Sequence, residues 1–134
     1  VIISNNIQWL EKDKSNFQAA QQKMLEHELE QWRIDWASQQ TEQYLSHYSQ
    51  KFFYSDGGYQ QWANHKRGVQ ASRPKVTLSI RDISMFSYPN FDQPIVVVDF
   101  EQNFKSVNLQ NKMLKRQYWL HENNQWKIIY EGAA

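Results

Sequence analysis

The side chain with the clearest chemical potential is Gln102, because it interrupts an otherwise apolar row. Val96, Val98, Phe100, Gln102 and Phe104 stand two residues apart, so they share one face of a β-strand. An amide that is buried on such a face needs hydrogen-bond partners. Gln102 is therefore predicted either to bind an amide or hydroxyl of a ligand, or to tie the sheet to a helix backbone.

Basic side chains offer a way to bind an acidic ligand. Arg67 follows Trp62 by five residues in a segment with a helical pattern. Its guanidinium is able to hold a carboxylate through two parallel hydrogen bonds. The alternative for Arg67 is an ion pair on the surface. Lys115 has the same two interpretations, and the sequence leaves both open.

Aromatic residues make up 15% of the chain, with 6 Trp, 7 Tyr and 7 Phe. This content indicates a thick aromatic core or a cavity lined by rings, in which the polar tips orient a ligand. Tyr44, Tyr48, Tyr118 and Trp119 are candidates for such a lining, and core packing is the alternative for each. Neighbouring residues of a strand face opposite ways, so Tyr118 and Trp119 cannot both point inward.

Catalysis in such a cavity would require a general acid or base. Strand alternation directs Asp99 away from the face that carries Gln102, whereas Asp82 continues the face of Leu78. Asp35 stands between two tryptophans of a predicted helix. Asp82 and Asp35 are each expected to be a lone buried acid at most, which makes a weak case for an enzyme.

Composition removes several other kinds of function. The chain has no Cys, so it has no disulfide, thiolate nucleophile or thiolate metal ligand. The four His residues, at positions 27, 47, 65 and 121, are widely separated, so we expect no metal and no cofactor. With a net charge of +1 and no basic stripe, nucleic acid and anionic membranes are not expected partners. No apolar run is long enough to span a membrane.

The 134 residues fit one domain of the α+β class, with helices ahead of long antiparallel strands. Residues 1–14 are expected to be a linker from an upstream domain, and residues 15–134 the domain itself. Gly68 is predicted to end the third helix, and a bulge is expected near residues 83–86. The predicted helices cover 17–38, 41–48 and 59–67, a short extended segment covers 52–54, and the strands cover 75–88, 95–106, 112–121 and 125–130.

Several runs of residues, taken together in order and spacing, resemble a known family across residues 22–132. This is the NTF2-like (SnoaL-like) domain found C-terminal to the catalytic domain of bacterial L,D-transpeptidase (YkuD-type) proteins. The matching runs are Val98-x-Phe100-x-Gln102-x-Phe104-x-Ser106, Lys115-Arg116-x-Tyr118-Trp119, Trp126-Lys127-Ile128, Glu131-Gly132, Trp32-x-x-x-Trp36, Tyr44-Leu45-x-x-Tyr48-Ser49-x-x-Phe52, and Trp62 with Arg67.

The resemblance implies three helices packed on a curved antiparallel sheet, with a conical cavity between them. It also implies a non-catalytic accessory domain in the periplasm of a Gram-negative bacterium. Its partners would be a peptidoglycan fragment or other small ligand and an upstream catalytic domain of the same protein. The predicted pocket consists of Tyr44, Tyr48, Trp62, Arg67, Gln102, Phe104, Lys115 and Tyr118.

Two positions depart from the pattern of that family. Phe104 stands where a Tyr is usual, which removes a hydroxyl from the predicted pocket, and Asp35 stands where Ala usually precedes the tryptophan. The outer face of the sheet, with Val97, Asp99 and Glu101, is rather polar, so a monomer or weak homodimer is expected. A small-molecule isomerase or hydrolase that uses a buried acid in the cone is the alternative function.

Overall fold

Helices form the first half of the molecule, and long strands form the second. The structure is a computed structural model that describes residues 7–10, 19–73, 75–88 and 93–134. The predicted α+β architecture is confirmed. The helices are α1 (Ala19–Ala37), α2 (Thr41–Leu45) and α3 (Tyr59–Ser72), and the strands are β1 (Gln8–Trp9), β2 (Thr77–Tyr88), β3 (Ile95–Lys105), β4 (Gln110–Glu122) and β5 (Gln125–Ala133).

The helix α1 packs on the sheet through one apolar stripe. Leu25, Leu29 and Trp32 follow one another at helical spacing, which predicts a shared apolar face, and all three are fully buried. The helix ends at Ala37, and Gln39 adopts a positive φ of 62° just beyond it. Glu28 and Asp35, seven residues apart on the same helix, lie beside this stripe and both contact His47.

Two predicted boundaries in the helical half are wrong. The helix α2 ends at Leu45 rather than at 48, and Tyr48 instead forms a strand-like bridge to Ile128. Residues 52–54, expected to be a short strand or an extended segment, form no regular strand, and the Phe53 amide donates to the carbonyl of Ile129. Gly68 does not end α3, because the helix continues to Ser72 and buries Gln70 against the rest of the fold.

The strands form one sheet in the order β1-β2-β3-β4-β5. All neighbouring pairs are antiparallel except β1, which pairs with β2 in parallel. Of the predicted linker, the described part is residues 7–10, which include β1; the rest of it lies outside the described residues. No helix of the described residues is long and apolar enough to cross a bilayer.

Two irregularities change which side chains face the helices. The predicted bulge lies in β2 between Arg81 and Ser84, slightly earlier than expected, and Asp82 there has a φ of 53°. A second lies where β4 meets β5: Tyr118 pairs with Tyr130, but the next residue along β4 pairs with Ile128. A bulge inserts one extra residue, so each of these reverses the inward and outward alternation beyond it.

The space between the inner face of the sheet and the three helices, which we call the cone, is filled mostly by rings. Val98, Phe100 and Trp119 of the sheet meet Trp32 of α1 and Trp62 of α3 in one buried cluster. Trp32 packs against Phe100 with ring centroids 5.8 Å apart. The prediction that Val96, Val98 and Phe100 share an inward face is confirmed.

Candidate functional site

Six of the predicted pocket residues lie in or against the cone. Tyr44 and Tyr48 enter it from α2 and the residues after it, and Trp62 enters from α3. The Lys115 Nζ lies 5.6 Å from the ring centroids of both Trp32 and Trp36. The six residues are Tyr44, Tyr48, Trp62, Gln102, Phe104 and Lys115.

Gln102 is 5% exposed and points into the cone, where its Oε1 has no hydrogen-bond partner among the described residues. Phe104, two residues further along β3, packs on Trp36 with ring centroids 5.5 Å apart. The predicted row on the inner face of β3 thus runs to the end of the strand. Gln102 leaves an unused acceptor inside the cone, where an unpaired polar atom is costly.

Arg67 does not join this cluster. Its Nε donates to Glu42 Oε2 at 3.0 Å and its Nη2 to Glu42 Oε1 at 3.1 Å, on the exposed side of α3. A residue five positions after Trp62 is turned about 140° away from it around a helix. Arg67 therefore lies in the surface ion pair that was the alternative interpretation, and Lys66 occupies the cone side instead.

Tyr118 also lies outside the cone. Its neighbour Trp119 is fully buried inside, so Tyr118 faces the outer side of the sheet. There its ring packs edge-on against Tyr130, with centroids 5.4 Å apart. Of the two adjacent aromatic candidates, the structure directs Trp119 inward.

An acid that the sequence analysis missed lies at the centre of the polar groups of the cone. The Glu131 side chain is 12% exposed. Its Oε1 accepts hydrogen bonds from Tyr48 Oη and Gln117 Nε2, both at 2.8 Å. Its Oε2 lies 3.8 Å from Lys115 Nζ. Regular alternation along β5 from the inward-facing Trp126 would place Glu131 on the outer face of the sheet. The bulge beside Ile128 reverses the alternation and turns Glu131 inward.

The hydrogen bonds continue from Glu131 to two indoles. Trp32 Nε1 donates to Tyr48 Oη at 3.0 Å, and Trp119 Nε1 donates to Gln117 Oε1 at 3.0 Å. Burial and the nearby Glu131 carboxylate raise the pKa of both Tyr44 and Tyr48, which therefore keep their hydroxyl protons. The Tyr48 proton goes to the charged Glu131, since Tyr44 Oη is further away at 3.3 Å.

Cations outnumber the acid at this site. Trp62, Lys66 and Gln70 are four residues apart, so they share the side of α3 that faces the cone, and Arg73 follows directly after the helix. Burial lowers the pKa of Lys66, and the charges of Lys115 and Arg73 lower it further. The charge of Glu131 acts in the opposite direction and raises this pKa. Lys66 is thus influenced by two other cations and by one carboxylate.

Arg73 is held by the backbone and by a ring rather than by an acid. Its Nη2 donates to the carbonyl of Trp36 and to Gln70 Oε1, and its guanidinium lies 5.3 Å from the Trp36 ring centroid. Its Nε and Nη1 are buried without an acceptor among the described residues. Burial lowers the pKa of Arg73 from its ordinary value. The cone therefore contains donors that no group of the described residues satisfies.

A cleft of about 330 Å³ leads to these charges between α3 and β5. Trp62, Lys66 and Glu131 contribute to its lining, and the remaining wall is formed by the residues before α3 and by Tyr130. A ligand in this cleft contacts one cation and the carboxylate of the cone directly. Its lining residues are Phe52, Phe53, Tyr54, Ser55, Trp62, His65, Lys66, Tyr130 and Glu131.

A larger cavity of about 650 Å³, which we call the groove, lies on the other side of α1. There His47 Nδ1 lies 2.9 Å from Glu28 Oε2, and His47 Nε2 lies 2.7 Å from Asp35 Oδ2. Gln31 Nε2 donates to the other Asp35 oxygen at 3.0 Å. The groove is lined by Lys23, Met24, His27, Glu28, Gln31, Asp35, Gln43, Ser46, His47, Asn124, Gln125, Trp126 and Lys127.

The acids weighed from the sequence have three different surroundings. Asp99 faces outward, as predicted, and pairs with Arg116 at 2.8 and 2.9 Å. The expectation for Asp82 is wrong, because the bulge in β2 leaves its side chain 67% exposed. Asp35 is buried, but it contacts His47 and is not a lone acid. In the part of the chain that the structure describes, no group of three or more His, Cys, Asp or Glu side chains could hold a metal ion.

Comparison with known proteins identifies the architecture. A family model described as the Cds6 C-terminal NTF2-like domain matches residues 24–132. The helical cell shape determining protein Pgp2 from Campylobacter jejuni is 24% identical, with a TM-score of 0.80 over 90% of this chain and 44% of that chain. Bd1075 from Bdellovibrio bacteriovorus is 23% identical, with a TM-score of 0.70 over 82% and 40%.

An NTF2-like protein of unknown function from Pseudomonas putida has the same fold. It is 9% identical, with a TM-score of 0.71 over 87% of both chains. No curated protein matches the chain. The chain spans less than half the length of Pgp2 and Bd1075. These likenesses confirm the predicted NTF2-like fold, and at such identities they carry the fold alone.

Proposed function

Because the chain belongs to the family of Cds6 C-terminal NTF2-like domains, we propose that it is a non-catalytic accessory domain that binds an acidic ligand in its cone. The ligand we propose is a peptidoglycan fragment with free carboxylates. The domain would serve a periplasmic L,D-transpeptidase-type protein of a Gram-negative bacterium, beside a separate catalytic domain upstream. The motif resemblance supports this, and so does the likeness to Pgp2, a cell shape determining protein of more than twice this length.

The observation that carries the proposal is the excess of positive charge in the cone. Lys115 lies 3.8 Å from the Glu131 carboxylate, and the charges of Lys115 and Arg73 both act on Lys66. Two guanidinium nitrogens of Arg73 have no acceptor among the described residues. Buried charge is costly unless it is paired, and the cost falls when an anion enters. A carboxylate suits this site because it accepts charge-assisted hydrogen bonds from both ammonium and guanidinium groups. The aromatic walls supply stacking surfaces for the rest of the ligand.

Two adjacent residues of α3 give a matched test of the proposal. Lys66 faces the cone, whereas Arg67 pairs with Glu42 on the surface. The probe is a soluble disaccharide-tetrapeptide fragment of peptidoglycan, titrated calorimetrically into the whole chain. Lys66→Gln is expected to weaken binding by about tenfold, the loss of one charge-assisted contact. Arg67→Gln removes the same charge outside the cone and is expected to leave the affinity unchanged.

The carboxylates of the probe provide a second control. Amidating them keeps the size and the sugar rings but removes the negative charge, so binding is expected to fall with the wild-type chain. Equal binding of the free and amidated fragments would contradict a role of the cations in binding. Equal losses in Lys66→Gln and Arg67→Gln would point to the overall charge of the domain instead of the cone.

One observation favours the second candidate, a small-molecule isomerase or hydrolase: Glu131 is an acid that the cleft reaches. However, its Oε1 already accepts from Tyr48 and Gln117, and its Oε2 faces Lys115. A general base needs a free position toward its substrate. Glu131→Gln separates the two functions, because it removes a charge that competes with the anionic ligand. Tighter binding of the fragment supports the accessory role, and loss of a measurable turnover would support the enzyme.

A further inference from the structure

The residues that follow α2 border both the cone and the groove. The His47 carbonyl accepts from the Ile128 amide, and the Ser49 amide donates to the Ile128 carbonyl, each at 2.8 Å. This backbone is therefore extended against β5, and neighbouring side chains point to opposite sides. The ring of His47 enters the groove, and the ring of Tyr48 enters the cone.

On the groove side, His47 is tied to α1 at two positions. Its ring nitrogens contact Glu28 at 2.9 Å and Asp35 at 2.7 Å. Ionised carboxylates only accept hydrogen bonds, so the ring donates from both nitrogens when both acids are ionised. Hydrogen bonding from His47 is the main cause that lowers the pKa of Glu28. Neither nitrogen is left to act on a substrate, so the chemistry of His47 is positional.

On the cone side, Tyr48 is tied to the same helix and to the central acid. Trp32 of α1 donates to the Tyr48 hydroxyl at 3.0 Å, and that hydroxyl donates to Glu131 at 2.8 Å. His47 and Tyr48, which are adjacent in the chain, thus contact different residues of the same helix α1. A change in how His47 meets Glu28 and Asp35 alters the position of the backbone that carries Tyr48.

We propose that His47 is a positioning residue for the cone, which holds the Tyr48 hydroxyl on Glu131 through its two contacts with α1. While Tyr48 donates to Glu131, part of the charge of that acid is satisfied, and Lys66 and Lys115 remain available to an anion. When Tyr48 withdraws, Glu131 competes with the ligand for the lysines. The effect on the ligand rests on the proposed function, whereas the coupling itself does not.

The coupling is measured in the ligand-free chain through the indole N–H signals of Trp32 and Trp119 in NMR spectra. Trp32 donates to Tyr48, and Trp119 reports on Glu131 through Gln117. Glu28→Ala removes one contact of His47 from the half-exposed end of the cluster, and Glu28→Gln keeps a neutral acceptor there. Both indole signals are expected to shift in Glu28→Ala and to shift less in Glu28→Gln.

Met24→Ala is the matched control, since Met24 lines the same groove but has no contact with His47 among the hydrogen bonds and ion pairs of the described residues. It is expected to leave both indole signals in place. Unmoved signals in folded Glu28→Ala would overturn the proposal, as would equal shifts in Met24→Ala. A purely structural role of the cluster would lower the unfolding midpoint of Glu28→Ala without moving the signals of the folded chain.

The affinity for the peptidoglycan fragment gives the second readout. Glu28→Ala is expected to weaken its binding about threefold, by partial loss of one hydrogen bond far from the ligand. Shifted indole signals together with no binding of the fragment by the wild-type chain would support the coupling and contradict the proposed ligand. Wild-type affinity in Glu28→Ala, with shifted signals, would contradict the effect of Tyr48 on the cone.

Discussion

The cone and the groove share the helix α1, but their polar groups are paired differently. In the groove, His47 uses both ring nitrogens on Glu28 and Asp35, and Gln31 completes the contacts of Asp35. In the cone, Glu131 is in contact with Lys115, the charge of Arg73 acts on Lys66, and two donors of Arg73 have no acceptor among the described residues. The groove is larger, at about 650 Å³ against about 330 Å³ for the cleft of the cone. The smaller cavity is the one to which the proposed function assigns the ligand.

In the proposed function, neither the size of a cavity nor the presence of catalytic residue types locates the binding site. The groove contains a histidine between two acids, which are residue types of catalytic sites. However, these three side chains satisfy one another's hydrogen bonds. The cone is nearly closed by rings, yet in the proposed function its cations are the groups that bind an anion. Variants that weaken one cavity and spare the other therefore test the comparison directly.

The largest expected effect on stability comes from the rings of the cone. Trp119→Ala removes a fully buried side chain and is expected to lower the free energy of unfolding by about 3–5 kcal/mol. Met24→Ala, in the groove, truncates a side chain that is 45% exposed and is expected to cost less than about 0.5 kcal/mol. Urea unfolding of both variants measures the difference. Similar losses would mean that the groove is packed as tightly as the cone.

The hydrogen-bonded cluster of Glu28, His47 and Asp35 in the groove is expected to contribute to stability mainly through Asp35, its buried acid. His47→Ala leaves the Asp35 carboxylate buried without its partner at 2.7 Å, at a cost of about 3 kcal/mol in unfolding free energy. Adding Asp35→Asn removes the unpaired charge, so the double variant is expected to be more stable than His47→Ala alone. A double variant that is less stable would show that Asp35 contributes mainly through other contacts.

A single hydroxyl distinguishes the two tyrosines of the cone. Tyr48→Phe removes the donor to Glu131 and the acceptor for Trp32, and is expected to cost about 1–2 kcal/mol in unfolding free energy. Tyr44→Phe removes a hydroxyl whose contact with Tyr48 is longer, at 3.3 Å, so its cost is expected to be smaller. The reverse order, measured by urea unfolding, would contradict the central place of Tyr48.

The smallest effect concerns the pH dependence of the groove. His47 lowers the pKa of Glu28 below its ordinary value of 4.5 in the folded chain. The unfolded chain binds that proton more readily, so the stabilisation is complete above the ordinary value and is lost as the pH falls through the folded pKa. Because the side chain is 36% exposed, the contribution is expected to be below about 1 kcal/mol.

Glu28→Gln removes this titration and gives the control. Unfolding free energies of the two chains are compared from about pH 6 to about pH 3, where the advantage of the wild type is expected to shrink. A difference that is constant over this range would mean that Glu28 does not titrate with a lowered pKa. Glu42→Gln, on the exposed surface of α2, provides a comparison outside the groove.

The sequence predicted the fold well because strand alternation and helical spacing act over many residues. The stripe of Leu25, Leu29 and Trp32 and the inward face of Val98 and Phe100 were both predicted in this way. Helical spacing does not place Arg67 beside Trp62, since five residues do not return to the same side of a helix. The same spacing predicts that Lys66, four residues after Trp62, lies on its side of the helix.

Two bulges explain why the positions of Asp82 and Glu131 differ from those that strand alternation predicts. In β2 the bulge places Ile83 inside and leaves Asp82 exposed, although alternation from Ile80 predicts the reverse. In β5 the bulge beside Ile128 turns Glu131 inward. Strand parity fails wherever one residue is inserted, and no local sequence signal marked the second insertion. The groove was missed because Glu28, Asp35 and His47 meet only in the folded chain.

The most direct test of the central claim is a titration of the whole chain with the disaccharide-tetrapeptide, followed through its backbone amide signals by NMR. We expect saturable shifts along the cone side of α3, from Trp62 to Arg73, and at Lys115 and Glu131. We expect little change at Lys23, His27 and Asn124 of the groove. Shifts confined to the groove, with the cone signals unmoved at saturation, would contradict the assignment of the ligand to the cone.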